Sequence, residues 1–555
     1  YDITKFLTTG DNVVGVTVGN GWHGRPILRA QIELLYADGR REIVSDGDWP
    51  WTVSAGPILQ NDVLEGETYD ARLEQPYWDS PGYVASPLRW IPARADRGPS
   101  GRMVSPSMEP IRVVEELAPV STAESIAPAE SRDVFNPGPA SDSKQGRAFL
   151  FDFGVNMAGW CRIAVRGNAG AVVTVEFAET LHDGFPDREN LRTAGARCVY
   201  VLRGAPGLAS GITPGDDPPG TEVYEPAFCY FGFRYAMVTV SDPATEFVSI
   251  TARRVRSGVA RTGAFASDNQ QLNLLWEMVV RTEENNLHGL PTDCPQRDER
   301  MAWLNDMRVR AECALYAFDL EGLYRKWLDD ISDAQDPVSG AVPDTAPYRW
   351  GGRRGDPVNC PAELVSLLYR FYGDKRVLSE SLPLLRGWLR HLDSIAHGGI
   401  IRLTHYGDWC PPAEYCFAPD DDPGPDNQEA FLAVGSYPAN TPGALVSTAY
   451  YYRDLVLVAD VCSELGLEEE GETYRREAAL VRRRFNEEFR RSDGRGFGTG
   501  SQGCNALALG LGLVHKEERR SVVAALVSEL REKGSLTTGN QATKHLMDVL
   551  AAEGY

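Results

Sequence analysis

Residues 267–279 read SDNQQLNLLWEMV, and across them the chain changes its period. Upstream, apolar and polar residues tend to alternate, as in the run Gln31 to Leu35, which is the pattern of a half-buried strand. Within the quoted stretch Leu272, Leu275, Trp276 and Val279 recur at a spacing of about 3.6 residues, which puts them on one face of a helix. Ser267 followed by Gln270 has the form of a capping box, so the helix is predicted to begin here.

Working outward, Tyr1 to about Arg97 consists of short β-rich runs (NVVGVTVGN, RAQIELLYADG, REIVSDGDW) broken by Gly, Asp and Asn, which predicts a β-sandwich or jelly roll. A Pro-, Ser- and Ala-rich stretch from about Gly98 to Ser143 reads as a surface connector, with IRVVEELAPV inside it able to pair as a strand. A second β region runs from Ala148 to about Val255. Beyond the quoted stretch, helical patterns cover roughly 303–318, 320–334, 361–372, 376–396, 443–465, 471–489, 502–513, 516–533 and 540–553. The longest loops between them run from about Asp336 to Asn359 and from about His397 to Pro442. Paired helices with a few long loops predict a toroid whose loops build a cleft on one face, and the lack of a repeat at a fixed period sets a solenoid aside. Three units are expected: an N-terminal β-sandwich over 1–97, a connector and second β-sandwich over 98–260, and a helical domain over 261–555.

A chain of 555 residues exceeds one hydrophobic core, and its 43% hydrophobic and 24% charged residues are ordinary for a globular protein. No apolar run approaches the roughly 18 residues of a membrane span. The formal charge of -22, with dispersed Lys and Arg, argues against nucleic acid as a partner. Ten cysteines without a CxxC pair, and no HExxH, suggest neither a disulfide scaffold nor zinc; only Cys410 and Cys416, in a Pro-rich loop, are placed to pair or ligate. Asp420 to Asp422 reads as a solvated turn, with a calcium site as the alternative. The compartment stays open: cytoplasmic is the default, and a signal peptide would lie upstream of Tyr1.

The densest polar cluster is Asp293-Cys294-Pro295-Gln296-Arg297-Asp298-Glu299-Arg300, followed by Trp303 and Asp306, in the loop between the first two helices. Such a cluster can be a plain solvated turn. Here, however, Pro291 and Pro295 stiffen it, Arg297 and Arg300 can hold carboxylates, and Trp303 offers a flat face of the kind that stacks on sugar rings. Glycoside hydrolysis needs a carboxylic acid to protonate the leaving oxygen and a second carboxylate to activate water or attack, and Asp293, Asp298 or Glu299 could be that acid. Trp350 and Asp356 in the first long loop and Gly407-Asp408-Trp409 in the second could converge on the same pocket.

At DCPQRDER with Trp303 and Asp306 the sequence resembles the bacterial α-L-rhamnosidases of glycoside hydrolase family 78, and YDIT, GNGWHG, GPILQNDVLEGETYDAR, MEPIRVVEELAPV, FDFGVNMAGW, EPAFCYFGFRY, KWLDDISDAQ, FYGD and GDW follow in family order. The resemblance implies an (α/α)6 toroid preceded by β-sandwich domains, and hydrolysis of terminal α-L-rhamnosides with inversion and without a metal or cofactor. It implies Glu299 as the general acid and Asp293, Arg297, Trp303, Asp306, Asp356 and Trp409 as residues that hold the sugar. The partner implied is a rhamnose-containing glycoside or polysaccharide.

Three departures from the family pattern stand out. Met301-Ala302 replaces a Leu-Gly pair, Arg354 stands where a Trp commonly precedes Gly355-Asp356, and no segment close to GATTxWE, which carries the family's general base, occurs among the 555 residues. The toroid is therefore expected to be incomplete toward its C-terminal end, with the base beyond Tyr555. The competing readings are a hydrolase or lyase of the same fold acting on another sugar, and a carbohydrate-binding protein without activity.

Overall fold

The computed structural model describes residues 1–22, 24–45, 47, 49–98, 101, 103–126, 147–204, 220–350, 355–418 and 437–555. Asp420 to Asp422 and Arg354 lie outside these residues.

The N-terminal half is sheet-rich. Its largest sheet has ten strands, and the 20-residue strand Arg147–Arg166 is its axis, pairing with Ser121–Ile126 and Phe231–Val240 along its first part and with Glu222–Tyr224 and Glu246–Ser257 along its second. The predicted strand in the connector forms as Ile111–Leu117 and pairs with Glu246–Ser257. Strands from the first unit join the same sheet: Gly66–Asp70 runs parallel to Arg197–Val201, so the sheet crosses the division expected at residue 97. Alternation drives this half, as in Val172–Ala178, where Val173, Val175 and Phe177 are buried against Phe231 and Phe233.

The second half is helical, with ten helices among the described residues: α1 Gln270–Asn285, α2 Leu304–Ala317, α3 Glu321–Ala334, α4 Pro361–Tyr372, α5 Arg376–Ile395, α6 Gly443–Glu464, α7 Glu468–Phe489, α8 Gln502–Gly510, α9 Arg519–Lys533 and α10 Asn540–Ala552. The even-numbered helices form a ring, each packing on the next, with α10 returning to α2, while α3, α5, α7 and α9 pack outside it. Sequence explains the layering. α6 is apolar nearly all round and buried along most of its length, whereas α7 carries Glu and Arg on its outer face and buries a stripe that includes Ala478, Val481 and Phe485. Inside the ring the buried Arg308 of α2 donates to Glu363 of α4 at 2.8 Å and to Gln541 of α10, with its guanidinium 4.3 Å from the Tyr450 ring of α6.

α1 begins where its period predicts, but its cap is Asn269, whose side chain accepts from the Gln271 amide at 2.9 Å, and Ser267 takes part in an Asn273 side-chain turn instead. Leu272 and Leu275 of the predicted apolar face are 47% and 53% exposed. Among the described residues no helix is long and apolar enough to cross a membrane, and no disulfide links Cys410 to Cys416.

Candidate active site

The loop between α1 and α2 is tied at its neck. The Asp293 amide donates to the Met301 carbonyl at 2.9 Å and the Met301 amide returns to Asp293 Oδ1 at 2.7 Å. The residues between form a closed loop that presents Glu299. Glu299 Oε1 accepts from Trp303 Nε1 at 3.1 Å, and Oε2 accepts from Arg297 Nε at 2.9 Å. Trp303 is the N-terminal flanking residue of α2, so the first turn of an inner helix fixes the donor that orients the carboxyl.

Three rings continue from there. Trp303 meets Tyr406 edge-on with centroids 5.5 Å apart, and Tyr406 meets Trp409 edge-on at 5.3 Å. The Trp409 segment is held from below by Asp408, which is wholly buried and accepts from the amides of Gly539 and Ala542 at the start of α10, each at 2.9 Å. Residue 539 has to be glycine, because a Cβ there would stand 1.9 Å from the Asp408 carbonyl oxygen.

Asp356 lies beneath the site rather than in its wall. It is wholly buried, and its carboxylate accepts from the amides of Val358, His405 and Tyr406 at 2.8 to 3.1 Å. It joins the first long loop to the second and so sets where Tyr406 stands. Arg300 also departs from expectation. Among the described residues its guanidinium meets no carboxylate; Nη1 donates to the carbonyls of both Val63 and Tyr230, each at 2.7 Å, and the group lies 4.8 Å from the Tyr230 ring. Its backbone, at φ 58, turns the side chain toward the sandwich.

Residues the sequence did not single out complete the cluster. Arg192, from the β-sandwich, places Nη1 3.2 Å from Glu299 Oε2, and the Thr193 hydroxyl donates to Asp298. Tyr406 forms the middle of the aromatic row, and the buried His405 beside it lies with Nδ1 3.4 Å from Asp344 Oδ2. None of these stands in a dense motif, and contact across domains leaves no local trace in sequence.

The electrostatics suit acid and base work. Burial, and then the neighbouring Glu299 charge, push the Asp293 carboxyl up to about 6, and burial lifts Asp306 to about 6. Asp293, Cys294 and Glu299 have potential ligand atoms within 4.8 Å of one another, yet two guanidiniums face the Glu299 oxygen, which makes a cation a poor fit.

Comparison with known proteins agrees with this architecture. Sequence models of the alpha-L-rhamnosidase N-terminal domain, the bacterial alpha-L-rhamnosidase concanavalin-like domain and the bacterial alpha-L-rhamnosidase 6 hairpin glycosidase domain match residues 1–115, 143–256 and 260–555. An alpha-L-rhamnosidase of Streptomyces avermitilis is 31% identical, with the match covering 100% of this chain and 49% of the relative. One from Alteromonas sp. is 28% identical over 100% of this chain and 57% of the relative. The solved alpha-L-rhamnosidase of Dictyoglumus thermophilum superposes with a TM-score of 0.79 at 30% identity, covering 95% of this chain and 54% of that one. The Streptomyces avermitilis enzyme complexed with L-rhamnose gives 0.78 at 31% identity, covering 97% and 47%. The chain thus spans about half the length of the curated relatives it matches. With the 6 hairpin domain matching more than half of the residues and the other two preceding it in order, the chain belongs to the bacterial alpha-L-rhamnosidase family.

Proposed function

We propose that the helical domain, from residue 261 onward, hydrolyses terminal α-L-rhamnose from rhamnose-containing glycosides by an inverting mechanism in which Glu299 is the general acid. The observation that carries this reading is the placement of the Glu299 carboxyl, oriented by Trp303 and Arg297 at one end of an aromatic row formed by Trp303, Tyr406 and Trp409. An acid so fixed can protonate the glycosidic oxygen while a second carboxylate activates water on the opposite face of the ring. Trp303 and Trp409 supply apolar faces for the sugar, and Asp293, Arg297 and Asp306 supply acceptors and donors for its hydroxyls. Asp356 acts indirectly, by holding the Tyr406 segment in place. No cofactor enters the reading.

The test, run on a protein that carries the expected general base, is a panel of aryl glycosides beside Glu299→Gln. Release is expected from the α-L-rhamnoside and not from other sugars. Glu299→Gln should lose most turnover on rhamnosides with poor leaving groups and less on those with good ones, which need less protonation. Equal loss on both kinds would remove Glu299 from the acid role.

A further inference from the structure

We propose that the β-sandwich supplies the leaving-group subsite of this active site, with Arg192 recognising a hydroxyl-bearing sugar on the far side of the scissile bond; this rests on reading Glu299 as the general acid. The sandwich segment from Arg188 to Ala196 is a built finger. Leu191, Ala194 and Ala196 are buried, and the Arg188 guanidinium braces the turn by donating to the Ala194 and Gly195 carbonyls and to Glu176. Thr193 docks the finger on Asp298.

Between these anchors Arg192 adopts φ 56 and ψ -112, a conformation that glycine takes readily and other residues avoid. A rigid turn that would be less strained with glycine carries instead a long cationic side chain, and the direction of that side chain gives the reason. It is 53% exposed, with Nη1 3.2 Å from Glu299 Oε2 and 4.0 Å from Asp298 Oδ1.

The two oxygens of Glu299 face different surroundings. Oε1 is held by Trp303, which begins the aromatic row, and Oε2 faces the finger. An acid gives its proton to the bridging oxygen, so the group leaving with that oxygen lies beside the acid and away from the ring pocket, on the finger's side. A guanidinium presents a planar fork of donors that suits paired ring hydroxyls. The adjoining Asp298 and Glu299 carboxylates make an anionic leaving group the poorer fit. The substrate class is therefore a rhamnoside whose leaving group is a neutral sugar.

The test compares kcat and KM of the protein carrying its general base, and of its variants, on a neutral rhamnosyl disaccharide and on p-nitrophenyl α-L-rhamnoside. Arg192→Gly removes the arm and relieves the backbone, so it should melt at the same or a higher temperature. Its kcat/KM should fall about tenfold more on the disaccharide than on the aryl glycoside, mainly through KM. Arg192→Gln repeats the comparison with the turn's strain retained. Equal losses on the two substrates, or no loss on the disaccharide, overturn the proposal. Glu299→Gln, measured in parallel, separates the two layers: if it still turns over the disaccharide, the acid assignment fails whatever Arg192 does.

Discussion

Trp303 performs two tasks with one side chain, its indole N–H holding Glu299 Oε1 at 3.1 Å and its ring opening the aromatic row against Tyr406. Phenylalanine at this position would keep the ring and lose the donor. A hydrogen bond to a charged group is worth about 1.5 to 3 kcal/mol, and partial exposure favours the lower end, so Trp303→Phe should lower kcat by about tenfold. KM should change little. If KM rose instead while kcat held, the N–H would belong to sugar binding and not to the acid. At this scale the sequence was legible where residues are contiguous: Asp293, Arg297, Glu299 and Trp303 share one loop and do meet. Thr193, 105 residues before its partner Asp298, could not be read, and neither could Tyr406, whose orientation depends on Asp356 in another loop. Arg300 meets no carboxylate of its own loop because its left-handed backbone carries the guanidinium to the Val63 and Tyr230 carbonyls, with the Gln296 carbonyl as its contact within the loop.

At the scale of elements, the 3.6-residue period located the helices because burial on one face is what makes each of them stable, and α4 spans the predicted 361–372. Caps were less legible, since Ser267 and Asn269 compete for the same role within three residues. How the inner helices are joined to the outer ones was not legible at all. Asp454 of α6 shows the consequence: it is wholly buried, accepts from Trp388 Nε1 of α5 at 2.9 Å, and burial pushes its carboxyl up to about 7. Glu363 adds to that rise and Arg308 opposes it. Because the folded value lies above the ordinary 3.8, the folded state holds this proton where the unfolded chain has lost it. Its contribution is therefore fully present below about pH 4 and is lost as pH rises through about 7, at a cost of roughly 2 to 4 kcal/mol. Asp454→Asn copies the protonated form. The variant should match the parent near pH 4 and melt increasingly above it up to about pH 7, followed by thermal scans across that range; a difference independent of pH would place the charge elsewhere.

At the scale of the whole molecule, the acid loop belongs to the helical half by sequence but is held by the sheet-rich half. Arg300 joins the Val63 carbonyl, beside the strand Ile58–Asp62, and the Tyr230 carbonyl, beside the strand Phe231–Val240, to the residue next to Glu299. Gly232 lets the sandwich approach closely, since a Cβ there would stand 2.8 Å from Gln296 Cβ. The three segments are thus one mechanical unit, and Arg300 is a positioning residue that acts through Glu299. Arg300→Met would leave two carbonyls without their donor, at about 1 to 3 kcal/mol each where they are shielded from water. A displacement of the acid by about 1 Å can cost on the order of a hundredfold in rate. The variant should therefore lose kcat by ten- to a hundredfold, keep its affinity for free L-rhamnose within a few fold, and exchange amide hydrogens faster both near residues 61–65 and in 293–301. Arg300→Lys, which keeps a charged donor that can serve two carbonyls as Nη1 does, should recover stability before it recovers rate, because an ammonium on an unbranched stem lacks the planar guanidinium that lies against the Tyr230 ring and fixes the donor in place. Faster exchange confined to 293–301 would mean that the loop holds its own shape and that the sandwich only leans on it.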